Sequence, residues 1–207
     1  MPGGGFEDVE ALVPYQVRRA GSWVRVDARL SARGGVVTPR AITVGLRLSD
    51  GGPGPLLTLS RGSQSLSLTW PFGPLPVPVL AGPTATYRGV LPGVNLLVTA
   101  LPSGVSELVE VTSAKAAADP ELARIKFPVS GQGLSVSADG RGDLTAADGA
   151  GKAVFTASAL MCIRGGVSRR MRAGGPAACC PVMAGLPCPE LLRVAPDGAG
   201  LACYRLR

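Results

Sequence analysis

Apolar and polar residues alternate with a period of two over most of the first 160 positions, which is the repeat of a strand with one face buried. The pattern is cleanest from Ser22 to Leu30, where Val24, Val26, Ala28 and Leu30 share one face and Arg25, Asp27 and Arg29 the other. Val13, Tyr15 and Val17 stand in the same alternation, and Ala20-Gly21 supplies a turn, so a hairpin is predicted over 13–30. Further apolar faces follow at Ile42, Val44, Leu46 and Leu48, at Leu57 and Leu59, and at Leu66, Leu68 and Trp70. Between them lie Gly34-Gly35, Asp50 to Pro55 and Arg61-Gly62-Ser63, compositions suited to turns. Short strands broken by turns every ~8 to 12 residues predict a sandwich or barrel.

From Pro71 to Pro83 proline recurs too often for a central strand, because each one removes a ladder donor. An extended connector is expected there, although the spacing of Pro71 and Pro74 also fits a ligand for an SH3-like groove. Strands resume at Thr84–Tyr87, Val94–Ala100 and Ser106–Val111, one short helix is predicted within Ala114–Leu122, and Ile125–Val129, Leu134–Ala138, Asp143–Ala146 and Ala153–Ala157 complete the pattern. The expected core includes Val24, Val26, Leu46, Leu66, Leu68, Val94, Leu96, Leu134 and Val136, with Arg25 and Arg29 outside. The fold class is therefore all-β: an antiparallel β-sandwich-like module over 9–161, a flexible lead-in over 1–8, and a disordered or irregular Arg/Cys/Pro-rich tail over 162–207.

Charge sharpens that division. The net charge is +7, yet residues 1–161 carry 14 Lys+Arg against 12 Asp+Glu, whereas 162–207 carry 7 against 2. The body is nearly neutral. With Tyr204 the sole aromatic of the basic tail, there is no cationic face interleaved with stacking rings, so no nucleic-acid partner is expected. The tail's prolines at 176, 181, 187, 189 and 196 interrupt every candidate element, and deleting 164–207 is expected to leave the body folded. At most a marginal strand is expected near Leu191–Val194.

All five cysteines, Cys162, Cys179, Cys180, Cys188 and Cys203, are also in the tail. An odd number without a CxxC, in a chain without histidine, poorly supports a zinc site, and adjacent Cys179 and Cys180 do not readily bridge each other. No apolar stretch approaches the ~18 to 20 residues of a membrane span. The opening MPGGGFEDVE lacks the basic and apolar regions of a secretory signal.

The run ATYRGVLPGVNL from Ala85 to Leu96, then SELVEV from Ser106, AAADPEL from Ala116 and the segment from Ile125 to Phe155, resembles a β-rich module near the N-terminus of large secreted actinobacterial multidomain proteins, ahead of LamG-like jelly-roll or DNRLRE-type regions. VPYQVRRAGSWVRVDARL from Val13 to Leu30 strengthens the match, which covers most of 9–161 and none of the tail. The resemblance implies an extracellular or cell-surface setting, with the other domains of a parent protein as partners, and no catalytic role. Two residues depart from the family's pattern: Asn95 stands in place of aspartate and Glu110 in place of an apolar strand residue. The family pattern also continues past Met161 into a Trp-Asp pair, where this chain turns Cys- and Arg-rich. A frameshifted or truncated ending is the expectation, against a genuine Cys-rich appendage.

Without histidine or a cysteine in the body, the chain lacks the residues for Ser-His-Asp, Cys-His or His-metal chemistry. Glu107 and Glu110, three apart on a predicted strand, point to opposite faces and cannot act jointly as acid and base; both are expected at the surface. Asp139, Asp143 and Asp148 cluster around glycines but fit no calcium-loop spacing, and a hairpin turn at Asp139-Gly140 accounts for the same residues. Arg141-Gly142-Asp143 spells an adhesion tripeptide at that turn, and glycines 3 to 5 lack the lysine of a phosphate loop. No catalytic residue, metal ligand or cofactor is assigned.

The expected function is a non-catalytic structural or adhesive module of a secreted or cell-surface bacterial protein. The alternative is an accessory carbohydrate-binding module, with cell-wall or extracellular glycan as partner. The tryptophans discriminate. Trp23 on the Arg25 face is a candidate sugar platform, Trp70 aligns with Leu66 and Leu68 as core, and burial of both would favour a spacer.

Overall fold

The computed structural model describes residues 14–123, 125–139, 143–158, 193–194 and 204–206. A two-stranded ribbon, β1 (Gln16–Arg19) and β2 (Ser22–Arg25), precedes the body. A six-stranded antiparallel sheet contains β3 (Asp27–Arg33), β4 (Val36–Ala41), β5 (Gly45–Leu48), β6 (Pro55–Arg61), β7 (Gln64–Thr69) and β12 (Val129–Gln132), in the order β12-β7-β6-β5-β4-β3.

The larger, nine-stranded sheet is built from β8 (Val79–Ala81), β9 (Thr84–Leu91), β10 (Val94–Leu101), β11 (Gly104–Val111), β13 (Ser135–Ala138), β14 (Leu144–Ala147), β15 (Ala153–Ser158), β16 (Arg193–Val194) and β17 (Tyr204–Leu206). Its order is β13-β14-β15-β17-β11-β10-β9-β8, with β16 pairing in parallel with β11. Among the described residues the helical content is one turn, α1 (Ala114–Ala117), N-capped by Ser113, followed by a 3-10 turn at Pro120–Ala123.

The two large sheets share one core, because the alternating strands bury the same parity along their length. Ile42, Val44, Leu46 and Leu48 of one sheet, and Val94, Leu96, Val98 and Ala100 of the other, are all buried. Trp70 is buried as expected, edge-on to Phe72 and Phe127 at centroid separations of 5.3 and 5.6 Å. Tyr87 buries its ring and donates its hydroxyl hydrogen bond to the Ser49 carbonyl at 2.6 Å. Burial, with nearby Asp50 adding to it, keeps that hydroxyl protonated far beyond the usual tyrosine range. At the Pro92-Gly93 turn Gly93 has φ +73°, and a Cβ there would meet Ala116 Cβ and Ser113 Oγ at 3.0 Å, so the close approach of α1 requires glycine.

Several expectations need correction. The strand read over Ser22–Leu30 is two: alternation passes through Val26, but pairing switches there from the β1 ribbon to β4. Val24 and Val26 are consequently half-buried rather than buried. Leu66 is buried, while Leu68 and Leu134 are half-buried against the core. Val136 is 40% exposed, because β13 is the outermost strand of its sheet. A strand absent from the sequence reading, β4, carries Pro39, and β8 lies inside the proline-rich connector at a sheet edge, where proline is tolerated. Ile125–Pro128 is not strand; pairing with β7 begins at Val129.

The lead-in 1–8 and all five cysteines fall outside the described residues, as does most of the tail. Two tail segments are described, and both are strands. Arg193–Val194 falls where a marginal strand was expected. Tyr204–Leu206 was not anticipated: it lies between β11 and β15, pairing with Val105–Glu107 on one side and Ala157–Ser158 on the other. Three residues are too few for any periodicity to show.

Candidate functional site: the β1–β2 ribbon

The turn of the ribbon is Ala20-Gly21, with φ +47° and +85°. Two consecutive left-handed residues make the type I′ geometry whose twist matches that of paired strands. Its register sets Gln16 opposite Arg25, Val17 opposite Val24, Arg18 opposite Trp23 and Arg19 opposite Ser22. Since cross-strand pairs alternate in face, Gln16, Arg18, Trp23 and Arg25 share one side and Val17 and Val24 the other. The valines are half-buried, while the first side is exposed throughout, with Trp23 at 68%. The ladder runs on through the Val26 N–H, which donates to the Tyr15 carbonyl at 2.9 Å, and the Arg19 guanidinium ties the ribbon to the body by donating to the Ile42 carbonyl at 3.4 Å.

Residues 14–26 contain three arginines and no carboxylate. The neighbouring cluster is different: Asp27 takes a two-point contact from Arg29, at 3.0 Å from both Nε and Nη2, and has Arg40 at 3.6 Å. The Arg29 hydrogen bonds hold the Asp27 carboxyl below its ordinary range, and Asp27 in turn raises Arg29. Among the described residues Arg18 and Arg25 have no carboxylate partner. Arg18 contacts only the Gly21 carbonyl, at a long 3.4 Å. The ribbon therefore presents an indole flanked by two uncompensated guanidinium groups, suited to stacking on an apolar sugar face while pairing with carboxylate, phosphate or sulfate. Trp23 and Arg25 were legible as one face; Arg18 joins them only through the register of the turn.

The remaining candidates have structural roles. Asp139 accepts the Asp143 N–H at 3.0 Å, and Asp148 accepts the Ala150 and Lys152 N–H groups at 3.0 Å, each closing a turn in the β13–β15 meander. Arg141 and Gly142 of the tripeptide, and glycines 3 to 5, lie outside the described residues. Among the described residues there is no grouping of three His, Cys, Asp or Glu side chains able to hold a metal, and no helix long and apolar enough to cross a membrane.

Glu107 and Glu110 do point to opposite faces, but only Glu110 is near solvent. Its Oε2 accepts from Asn95 Nδ2 at 2.8 Å, while Asn95 Oδ1 accepts the Gly89 N–H at 3.0 Å. Glu107 is 2% exposed, on the core face of β11 with Val105, Val109 and Val111, and its Oε1 has no hydrogen-bond partner. Burial pushes its carboxyl up to about 7, countered in part by its own backbone N–H. Glu107 is therefore not at the surface as expected, because the parity of β11 carries it to the core face in spite of its charge.

Against this geometry, no protein family, curated protein or solved structure matches the chain.

Proposed function

We propose that the chain is a non-catalytic adhesive module of a secreted or cell-surface bacterial protein, and that it holds extracellular glycan through the outward face of the β1–β2 ribbon. The observation that carries this reading is Trp23, exposed on a ribbon that leans on the body by its opposite face. A spacer gains nothing from leaving an indole in water, since burying a large aromatic is worth roughly 2–3 kcal/mol. The guanidinium groups beside it favour acidic polymers such as polyuronates or phosphate-bearing wall glycans. The sequence resemblance supports the extracellular setting and the presence of partner domains in one parent chain.

The test is binding of the full chain to polygalacturonate, to a neutral glucan and to purified wall glycan, followed by tryptophan fluorescence. Because Trp70 is buried, Trp23 dominates any ligand-dependent change. Trp23→Ala is expected to weaken acidic-glycan binding at least about tenfold, as befits the loss of a central aromatic contact. Equal binding by wild type and Trp23→Ala would remove the ribbon from the function, and no binding to any glycan would leave the structural role as the better reading.

A further inference from the structure

The nine-stranded sheet is continuous only through β17. On one side of it β13, β14 and β15 form a meander, and on the other β11, β10, β9 and β8 form a second. Both β15 and β11 run antiparallel to β17, so they are parallel to each other and one strand's width apart. β10 pairs with β11 along all eight residues, Gly104 to Val111, whereas β17 covers only Val105–Glu107. Three residues thus close the gap, and one of the residues that they cover is Glu107, in register with Tyr204.

We propose that β17 is a pH-dependent strap: it closes the gap between β11 and β15 while Glu107 carries its proton and is released when Glu107 ionises. A neutral carboxyl can remain in an apolar site at modest cost, whereas an unpaired carboxylate there must regain water. The way out is short. Val98 of β10 lies on one side of Glu107 and three residues of strand on the other, so β17 is the removable wall.

Among the described residues whose burial is given, no cation is placed to hold the ionised form inside. The β10 residues on the core face, Leu96, Val98 and Ala100, are apolar. Arg40, Arg47 and Arg61 of the facing sheet are exposed, as are Lys115 of α1 and Lys152 before β15. Tyr87 is committed to the Ser49 carbonyl. On β17 the titratable residues in register are Tyr204 opposite Glu107 and Arg205 opposite Ser106. The rise of the Glu107 carboxyl from 4.5 to about 7 sets the range in which the strap acts.

Amide hydrogen exchange on the full chain, corrected for intrinsic rates, tests this at pH 5.5 and 8.5. Protection of the Val105–Glu107 and Tyr204–Leu206 amides is expected to fall about thirtyfold at the higher pH, with the β9–β10 amides as an unchanged internal reference. Glu107→Gln, or Glu107→Met if that variant folds poorly, is expected to keep the protection at both values. Equal protection of the wild type at the two pH values would overturn the strap, as would an equal loss in Glu107→Gln. A Glu107 carboxyl resonance titrating in the ordinary glutamate range would overturn it independently.

Discussion

The two faces of β11 hold the same side chain three residues apart and treat it in opposite ways. On the outer face Glu110 lies half-exposed and paired with Asn95, so its charge is solvated and hydrogen-bonded. On the inner face Glu107 sits among valines with one oxygen unpartnered. Strand parity placed both residues before their chemistry was consulted. The face decides whether a carboxylate is an ordinary surface group or a source of pH dependence.

The largest effect expected from breaking this contrast is on the inner face. The folded carboxyl keeps its proton up to about pH 7, whereas the ordinary value of a glutamate carboxyl, which the unfolded chain restores, is 4.5. Stability is therefore undiminished below about 4.5, falls as pH rises between the two values, and has lost its full increment above about 7. Glu107→Leu is expected to raise unfolding stability by about 3 kcal/mol at pH 8 and to flatten the profile between pH 4 and 8, read from urea midpoints.

Next comes the strand that covers Glu107. The tail's composition argued that residues 164–207 are dispensable, but the pairing of β17 reverses that expectation, since its removal bares the edges of both β11 and β15. A chain ending at residue 163 is expected to be less stable by about 2 kcal/mol at pH 5.5 and by less at pH 8.5. Coincident urea transitions at pH 5.5 would restore the dispensable tail.

The outer face gives the smallest response. Glu110→Ala and Asn95→Ala are each expected to cost about 1 kcal/mol, with a double-mutant coupling of similar size. A coupling near zero would show that the two side chains do not act as a pair.

Much of the body was legible because its strands bury one parity without interruption, as at Ile42–Leu48 and Val94–Ala100. What was missed has physical causes. Alternation is blind to a change of pairing partner, so the break at Val26 was invisible. Pro39 disguised β4, and the proline-rich surroundings of the edge strand β8 disguised that one. Glu107 shares the parity of Val105, Val109 and Val111, and following the period rather than the charge would have placed it inside. At the ribbon, the exposed face of Trp23 was readable from alternation, whereas Arg18 required the register that the Ala20-Gly21 turn imposes.

Asn95 and Glu110, noted in sequence as two separate departures from the resembled pattern, are opposite each other across β10 and β11 and joined at 2.8 Å. They therefore act as one coupled pair. An aspartate at position 95 would set two carboxylates face to face, and an apolar residue at position 110 would leave the Asn95 amide without its acceptor. Substitution at either position is therefore tolerated best when the other changes with it.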